Sequence, residues 1–192
     1  PINGHLLCVA ALAPHKAQDL LIRALANLPD LPWDCTLVGP LDRDPDFVTR
    51  LRTAITQAAL TPRVHLTGPL TAEPLNRAYA AADLLVVPSR ADTYGMVVTE
   101  ALAHALPVLT TTAGGLPEAL GHTPHGTRPG HLIPPEDPKA LTAALEKWLT
   151  NAPHRTHLRK AAADRRPTLP TWPQTTQAVA TALTAAARDV TR

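Results

Sequence analysis

The chain has 192 residues, 45% of them hydrophobic and 18% charged, which is enough for one globular domain with a buried core. One Phe, two Tyr and three Trp are too few for the stacking platforms of a single-stranded nucleic-acid binder, and a formal net charge of +2 without a long basic block argues against a phosphate-backbone binder, though not against binding one or two phosphates. No apolar run reaches the roughly 18 residues of a membrane span, and no secretory leader is expected, so the expected setting is cytoplasmic.

From the amino terminus, a continuous apolar run predicts a strand over 5–11, and periodic apolar residues predict a helix over 17–28. A second strand is predicted over 35–38. The helix over 45–59 that follows is opened by Asp44 as its cap and Pro45 in its first turn. A strand over 64–67 leads to a helix over 72–81, and a strand over 84–88 to a helix over 96–105. Next come a strand over 108–111, a short helix over 116–120 and a Pro-rich surface loop over 123–135 that carries a weak strand over 131–133. A helix over 138–149 closes the alternating part. Two further helices are predicted over 154–165 and, beyond the breaker Pro167-Thr168-Leu169-Pro170, over 173–188. Cys8 and Cys35 fall in apolar strands and read as buried thiols of a reducing compartment.

Strands that are apolar throughout, alternating with helices, imply a parallel sheet covered on both faces. The expected fold is therefore α/β: a doubly wound, Rossmann-like parallel sheet with helices on both faces and a C-terminal helical extension, one domain over 1–192. Such sheets bind ligands beyond the carboxyl ends of their strands, here 13–16, 39–44, 68–70, 89–95 and 112–115. Met96 is the only methionine and the chain begins Pro1-Ile2-Asn3, so it is expected to be part of something longer.

The most informative stretch runs from Pro88 to Ala103. A strand ends, a loop carries Asp92, Gly95 permits close backbone approach, and a helix starts near Met96. Free amides at such a start suit a phosphate or diphosphate. Glu100 lies in the first turns of the same helix, and ionised carboxylates at 92 and 100 can accept hydrogen bonds from sugar hydroxyls. The plainer alternative makes Asp92 a loop or capping residue and Glu100 a favourable charge early in a helix.

Asp92-Thr93-Tyr94-Gly95 with Glu100-Ala101, then Ala105-Leu106-Pro107-Val108 and Gly114-Gly115-Leu116-Pro117-Glu118, resemble the donor-binding, C-terminal domain of retaining GT-B glycosyltransferases, the glycosyltransferase group 1 family. Val64–Gly68, Ala82–Ser89 and His15-Lys16 add to the resemblance, which spans roughly 6–187. It implies that a nucleotide-diphosphate sugar is the donor substrate and that no metal or other cofactor is needed. It implies Lys16 at the leaving diphosphate, Asp92 at the donor sugar, Glu100 at the ribose hydroxyls, the amides of Gly95, Met96 and Val97 at the diphosphate, and the turn Gly68–Leu70 at the base. The acceptor would come to an amino-terminal domain outside this chain, and any membrane association would belong to that part. The chain departs from the family pattern in carrying Asp92 where Glu is usual and in lacking an Arg just after the first strand, where it has Ala10-Ala11-Leu12; His15 or Arg90 could supply that cation.

Other motifs weigh less. Asp42-Arg43-Asp44 spells a metal-binding pattern, but Asp44 before Pro45 is a helix start. His122 and His125, and His154 and His157, lack companion ligands and read as surface residues. There is no Walker lysine loop, no Gly-x-Gly-x-x-Gly and no nucleophile elbow. Two alternatives to a transferase remain open: a non-catalytic nucleotide-sugar binding module and another GT-B enzyme such as a sugar-nucleotide epimerase.

Overall fold

The computed structural model describes residues 4–190. Six strands, β1 (His5–Val9), β2 (Asp34–Val38), β3 (Val64–Gly68), β4 (Leu84–Val87), β5 (Val108–Thr111) and β6 (Gly130–Ile133), form one sheet in the order β3-β2-β1-β4-β5-β6. Every pairing is parallel. The crossovers are α1 (Gln18–Ala26), α2 (Pro45–Gln57), α3 (Ala72–Ala81), α4 (Met96–Ala103) and α5 (Leu116–Leu120). After β6 come α6 (Pro138–Thr150), α7 (Ala152–Arg165) and α8 (Trp172–Val190). This is the expected doubly wound, Rossmann-like α/β sheet with a helical extension.

The central strands β1 and β4 are apolar at consecutive positions because successive side chains enter different cores. Leu6, Leu84 and Val86 join one cluster, with Leu21 and Leu25 of α1, Leu51 of α2 and Leu145 and Trp148 of α6. Leu7, Leu85 and Val87 join the other, with Val98 and Leu102 of α4 and Leu116 and Leu120 of α5. In α6 the buried Leu141, Ala144, Leu145 and Trp148 recur at the three- and four-residue spacing of one helical face. Asp44 caps α2 as expected, its Oδ1 accepting from the Phe47 amide at 2.8 Å.

Several boundaries differ from the sequence reading. β1 stops at Val9 rather than 11, since the chain there bends into a single 3-10 turn, Pro14–Lys16. Ala17 then takes a left-handed conformation with φ 59°, which delays α1 to Gln18. The weak strand expected over 131–133 is present and starts one residue earlier, as β6 over Gly130–Ile133, and Thr123 is buried with its hydroxyl accepting from the Thr127 amide. α8 extends over Trp172–Val190 rather than 173–188. Cys8 and Cys35 are buried free thiols, and burial pushes Cys8 up to about 12, so it stays protonated and inert.

His131 of β6 and His154 of α7 meet edge to face, ring centroids 6.2 Å apart. Burial, reinforced by the Lys147 ammonium, holds both imidazoles below their ordinary value of 6.5. The unfolded chain therefore binds more protons than the folded one once pH falls below that value, so stability is lost on acidification through this window. Thermal melts should show a lower midpoint at pH 5 than at pH 7.5. In a His131→Gln, His154→Gln double variant that slope should be shallower; an unchanged slope would remove these two groups as its source.

Candidate functional site

The order β3-β2-β1-β4-β5-β6 reverses direction between β1 and β4, and at that point the loops after the two strands diverge and leave a cleft. Its walls are Val9, Ala10, Ala11 and Lys16 on the β1 side and Val87, Ser89 and residues 92–97 on the β4 side, enclosing about 320 Å³. The β1 loop is held from below: the fully buried Gln18 donates from Nε2 to the Ala11 carbonyl at 3.1 Å. The β4 loop is pinned onto it, the amides of Arg90 and Ala91 donating to the His15 carbonyl at 2.8 and 3.3 Å. From the other side the Thr111 hydroxyl donates to the Ser89 carbonyl at 2.7 Å.

Within the cleft, Lys16 Nζ lies 2.6 Å from Asp92 Oδ2, with the two side chains only 22% and 9% exposed. Asp92 Oδ1 accepts from the Gly95 amide at 3.0 Å, so this carboxylate bridges the cation and the start of α4. Gly95 caps α4 at φ 79°, a left-handed geometry, and an added Cβ would lie 2.7 Å from Leu116 Cδ2. The next amides, of Met96 and Val97, are among those a helix leaves without an intrahelical acceptor. Met96 itself is 56% exposed and Tyr94 47%, both at the cleft mouth. Lys16, Asp92, Gly95, Met96 and Val97 are thus brought together.

Glu100 follows Met96 by four residues, one turn on along the same face of α4. It is not a wall of the cleft; its Oε2 accepts a hydrogen bond from the Tyr79 hydroxyl at 2.8 Å. Gly68 and Leu70 stand at the end of β3, beyond β2 and outside the cleft walls. The Gly68 carbonyl accepts from the Gly39 amide at 3.0 Å, and Leu70 packs against the core cluster that Val9 and Val97 also border. His15 is exposed and borders an open depression with Lys16, Ala91, Asp92 and Thr93, just outside the cleft.

Arg90 is engaged elsewhere. Its guanidinium makes two hydrogen bonds of 2.8 Å to the Asp19 carboxylate, one of 3.1 Å to Glu136, and one to the Pro14 carbonyl. The Asp19 bond, against the opposing effect of burial, holds Arg90 above its ordinary value. Burial pushes the Asp19 carboxyl up, but hydrogen bonds from Arg90 and Arg23 outweigh it and hold it below the usual carboxylate value. Arg90 thereby ties the loops after β1, β4 and β6 into one frame around Lys16. Tyr79, Asp19 and Glu136 escape sequence reasoning. Only Tyr79 left a signal, a polar tip on an otherwise apolar seam of α3, and buried tyrosines usually find a partner.

Chemically, a cation and outward-facing amides on one cleft can accept an anion, and Glu100 can accept hydroxyl hydrogen bonds. Among the described residues, no group of three or more His, Cys, Asp or Glu could hold a metal ion, and no helix is long and apolar enough to cross a membrane. His122, His125 and His157 are exposed, as expected of surface histidines.

Fold and cleft together define a Rossmann-like α/β domain with an anion-accepting cleft at its switch point. A family model described as "Glycosyl transferases group 1" matches residues 4–165. The chain belongs to this family. Its relatives include the D-inositol 3-phosphate glycosyltransferases of Salinispora tropica, 34% identical over 170 residues, and Kineococcus radiotolerans, 34% identical over 173. These alignments take in 84% and 83% of this chain but 34% and 39% of those proteins, so the chain spans little more than a third of the length of the curated relatives it matches. Among solved structures, Anabaena Alr3699/HepE in complex with UDP-glucose superposes with a TM-score of 0.83 at 26% identity, covering 94% of this chain and 48% of that one. The C-terminal domain of the group 1 family protein LpcC from Francisella tularensis shares the fold, with a TM-score of 0.73 at 22% identity and 85% of each chain covered.

Proposed function

We propose that this chain is the donor-binding domain of a retaining glycosyltransferase, which moves a sugar from a nucleotide-diphosphate sugar to an acceptor hydroxyl. One observation carries the reading: Lys16, Asp92 and the first amides of α4 converge on a single cleft at the switch point of the sheet. The diphosphate lies against the α4 amides with Lys16 beside it, Asp92 faces the donor sugar, Glu100 accepts from the ribose hydroxyls, and the Gly68–Leu70 turn flanks the base. UDP-glucose in the Anabaena relative supports uridine as the first base to test.

In the transfer, the bond from the anomeric carbon to the diphosphate breaks and its electron pair stays on the diphosphate oxygen. The acceptor oxygen bonds to the same face of that carbon, and its proton passes to the departing diphosphate. Lys16 and the amides stabilise the charge that develops there, so the reading calls for no metal ion. The acceptor and an amino-terminal domain lie outside this chain, which alone binds donor without turning it over.

A second reading, a nucleotide-sugar module without turnover, is favoured by the engagement of Asp92 with Lys16 and Gly95, which occupies both oxygens of a carboxylate one methylene shorter than the usual Glu. Calorimetry with uridine, guanosine and adenosine diphosphates and their sugar conjugates tests the common ground: saturable binding of at least one is expected, and none at millimolar ligand overturns both readings. Adding an amino-terminal half from a relative separates them. Sugar transfer then supports the enzyme, and binding without transfer supports the module.

A further inference from the structure

The hydroxyl at the far end of Tyr79 ends on Glu100. Tyr79 lies on α3, is 2% exposed, and donates to Glu100 Oε2 at 2.8 Å. Its ring stacks on the His104 imidazole, centroids 5.1 Å apart and planes within 12°. Glu100 and His104 are four residues apart on one face of α4, so the ring is fixed along that face with its hydroxyl at the carboxylate. Tyr79 belongs to the same core cluster as Leu85, Val98 and Leu102.

We infer that Tyr79 is a positioning residue: its hydroxyl fixes the Glu100 carboxylate in the orientation that receives the ribose hydroxyls of a nucleoside diphosphate. The inference rests on the proposed role of Glu100. Glu100 is exposed, and a free glutamate there would sample many rotamers and lose them on binding. With one lone pair of Oε2 already occupied by Tyr79, the carboxylate is held before the ligand arrives, while Oε1 and the second lone pair of Oε2 remain to accept from two vicinal hydroxyls. Burial, together with the Glu100 charge, pushes the Tyr79 phenol well above its ordinary value, so it keeps its proton and donates at any working pH. The donor sugar and the diphosphate are untouched by this bond. Its effect should therefore depend on the ribose alone.

The test is calorimetry of the whole 192-residue chain with UDP and with 2′,3′-dideoxyuridine diphosphate. Tyr79→Phe keeps the ring stack and should weaken UDP roughly 2- to 10-fold, the range for releasing one rotamer-rich side chain, while leaving the dideoxy analogue unchanged. Combined with Glu100→Ala it should add nothing to the loss from Glu100→Ala alone. Equal weakening of both ligands makes Tyr79 a general structural residue and overturns the proposal, as does full UDP affinity in Tyr79→Phe while Glu100→Ala loses it. If Glu100→Ala itself binds UDP normally, or the unsubstituted chain binds no UDP, the ribose assignment falls and the proposal with it.

Discussion

With Lys16 exchanged for alanine, affinity for UDP should fall about 10- to 100-fold, matching the roughly 1.5–3 kcal/mol contributed by a hydrogen bond to a charged group. The ammonium is placed for this by a short 3-10 turn and a left-handed Ala17, and its loop is clamped by Gln18 below and by the β4 loop at the side. At 22% exposure it is only partly screened by solvent. The same substitution has a second consequence. Asp92, 9% exposed, would keep only the Gly95 amide at 3.0 Å and the Ser89 hydroxyl at 3.5 Å, so a partly buried carboxylate loses its counter-ion and the melting temperature drops. Adding Asp92→Asn removes the stranded charge, and the double variant should regain most of the melting temperature without regaining UDP affinity. Recovery of both together would mean that Lys16 acts only through the fold. Unchanged UDP affinity in Lys16→Ala would remove it from the site.

The architecture was legible because a parallel sheet covered on both faces writes itself as unbroken apolar strands. Leu84, Leu85, Val86 and Val87 are all buried although they face two different cores. The meeting of Lys16 and Asp92, 76 residues apart, was legible for a different reason. Adjacent parallel strands carry their following loops to the same edge, so residues after β1 and β4 must be neighbours. What stayed hidden are side-chain pairings that no period encodes. Arg90 reads from the sequence as a spare cation near the cleft, yet it reaches Asp19, 71 residues away, and Glu136, 46 residues away. A guanidinium with five donors on a long stem takes whichever acceptors the folded surface offers. The delayed start of α1 was hidden too, since alanine does not advertise a positive φ. Nor does any period show that the Tyr79 hydroxyl of α3 ends on Glu100 of α4.

The Gly114-Gly115 pair gives the second large effect, because it decides where Asp92 can sit. Gly114 has φ +52°, and a Cβ there would lie 1.8 Å from the Asp92 carbonyl oxygen. The Gly115 amide donates to that same oxygen at 3.3 Å, and a Cβ on Gly115 would lie 2.5 Å from the Thr93 carbonyl. The turn after β5 is thus a flat backbone surface on which the 92–93 loop rests. Left-handed backbone costs an alanine about 1–2 kcal/mol by itself. Contact at 1.8 Å cannot be absorbed, so in Gly114→Ala the Asp92 peptide must also move, and the total loss should exceed about 3 kcal/mol. For a chain of this size that lowers the melting temperature by about 6–12 °C. Gly126→Ala supplies the control: φ is again positive, at +79°, but nothing lies within 4 Å of the added Cβ, so only the conformational cost remains. Melts should therefore rank Gly114→Ala well below Gly126→Ala. Calorimetry at a temperature where both are folded should show UDP binding weakened only in the first, because displacing Asp92 displaces its grip on Lys16 and on the start of α4. Equal melting temperatures would show that the turn yields without moving the loop. Normal UDP affinity in a clearly destabilised Gly114→Ala would show that Asp92's place does not matter to the ligand.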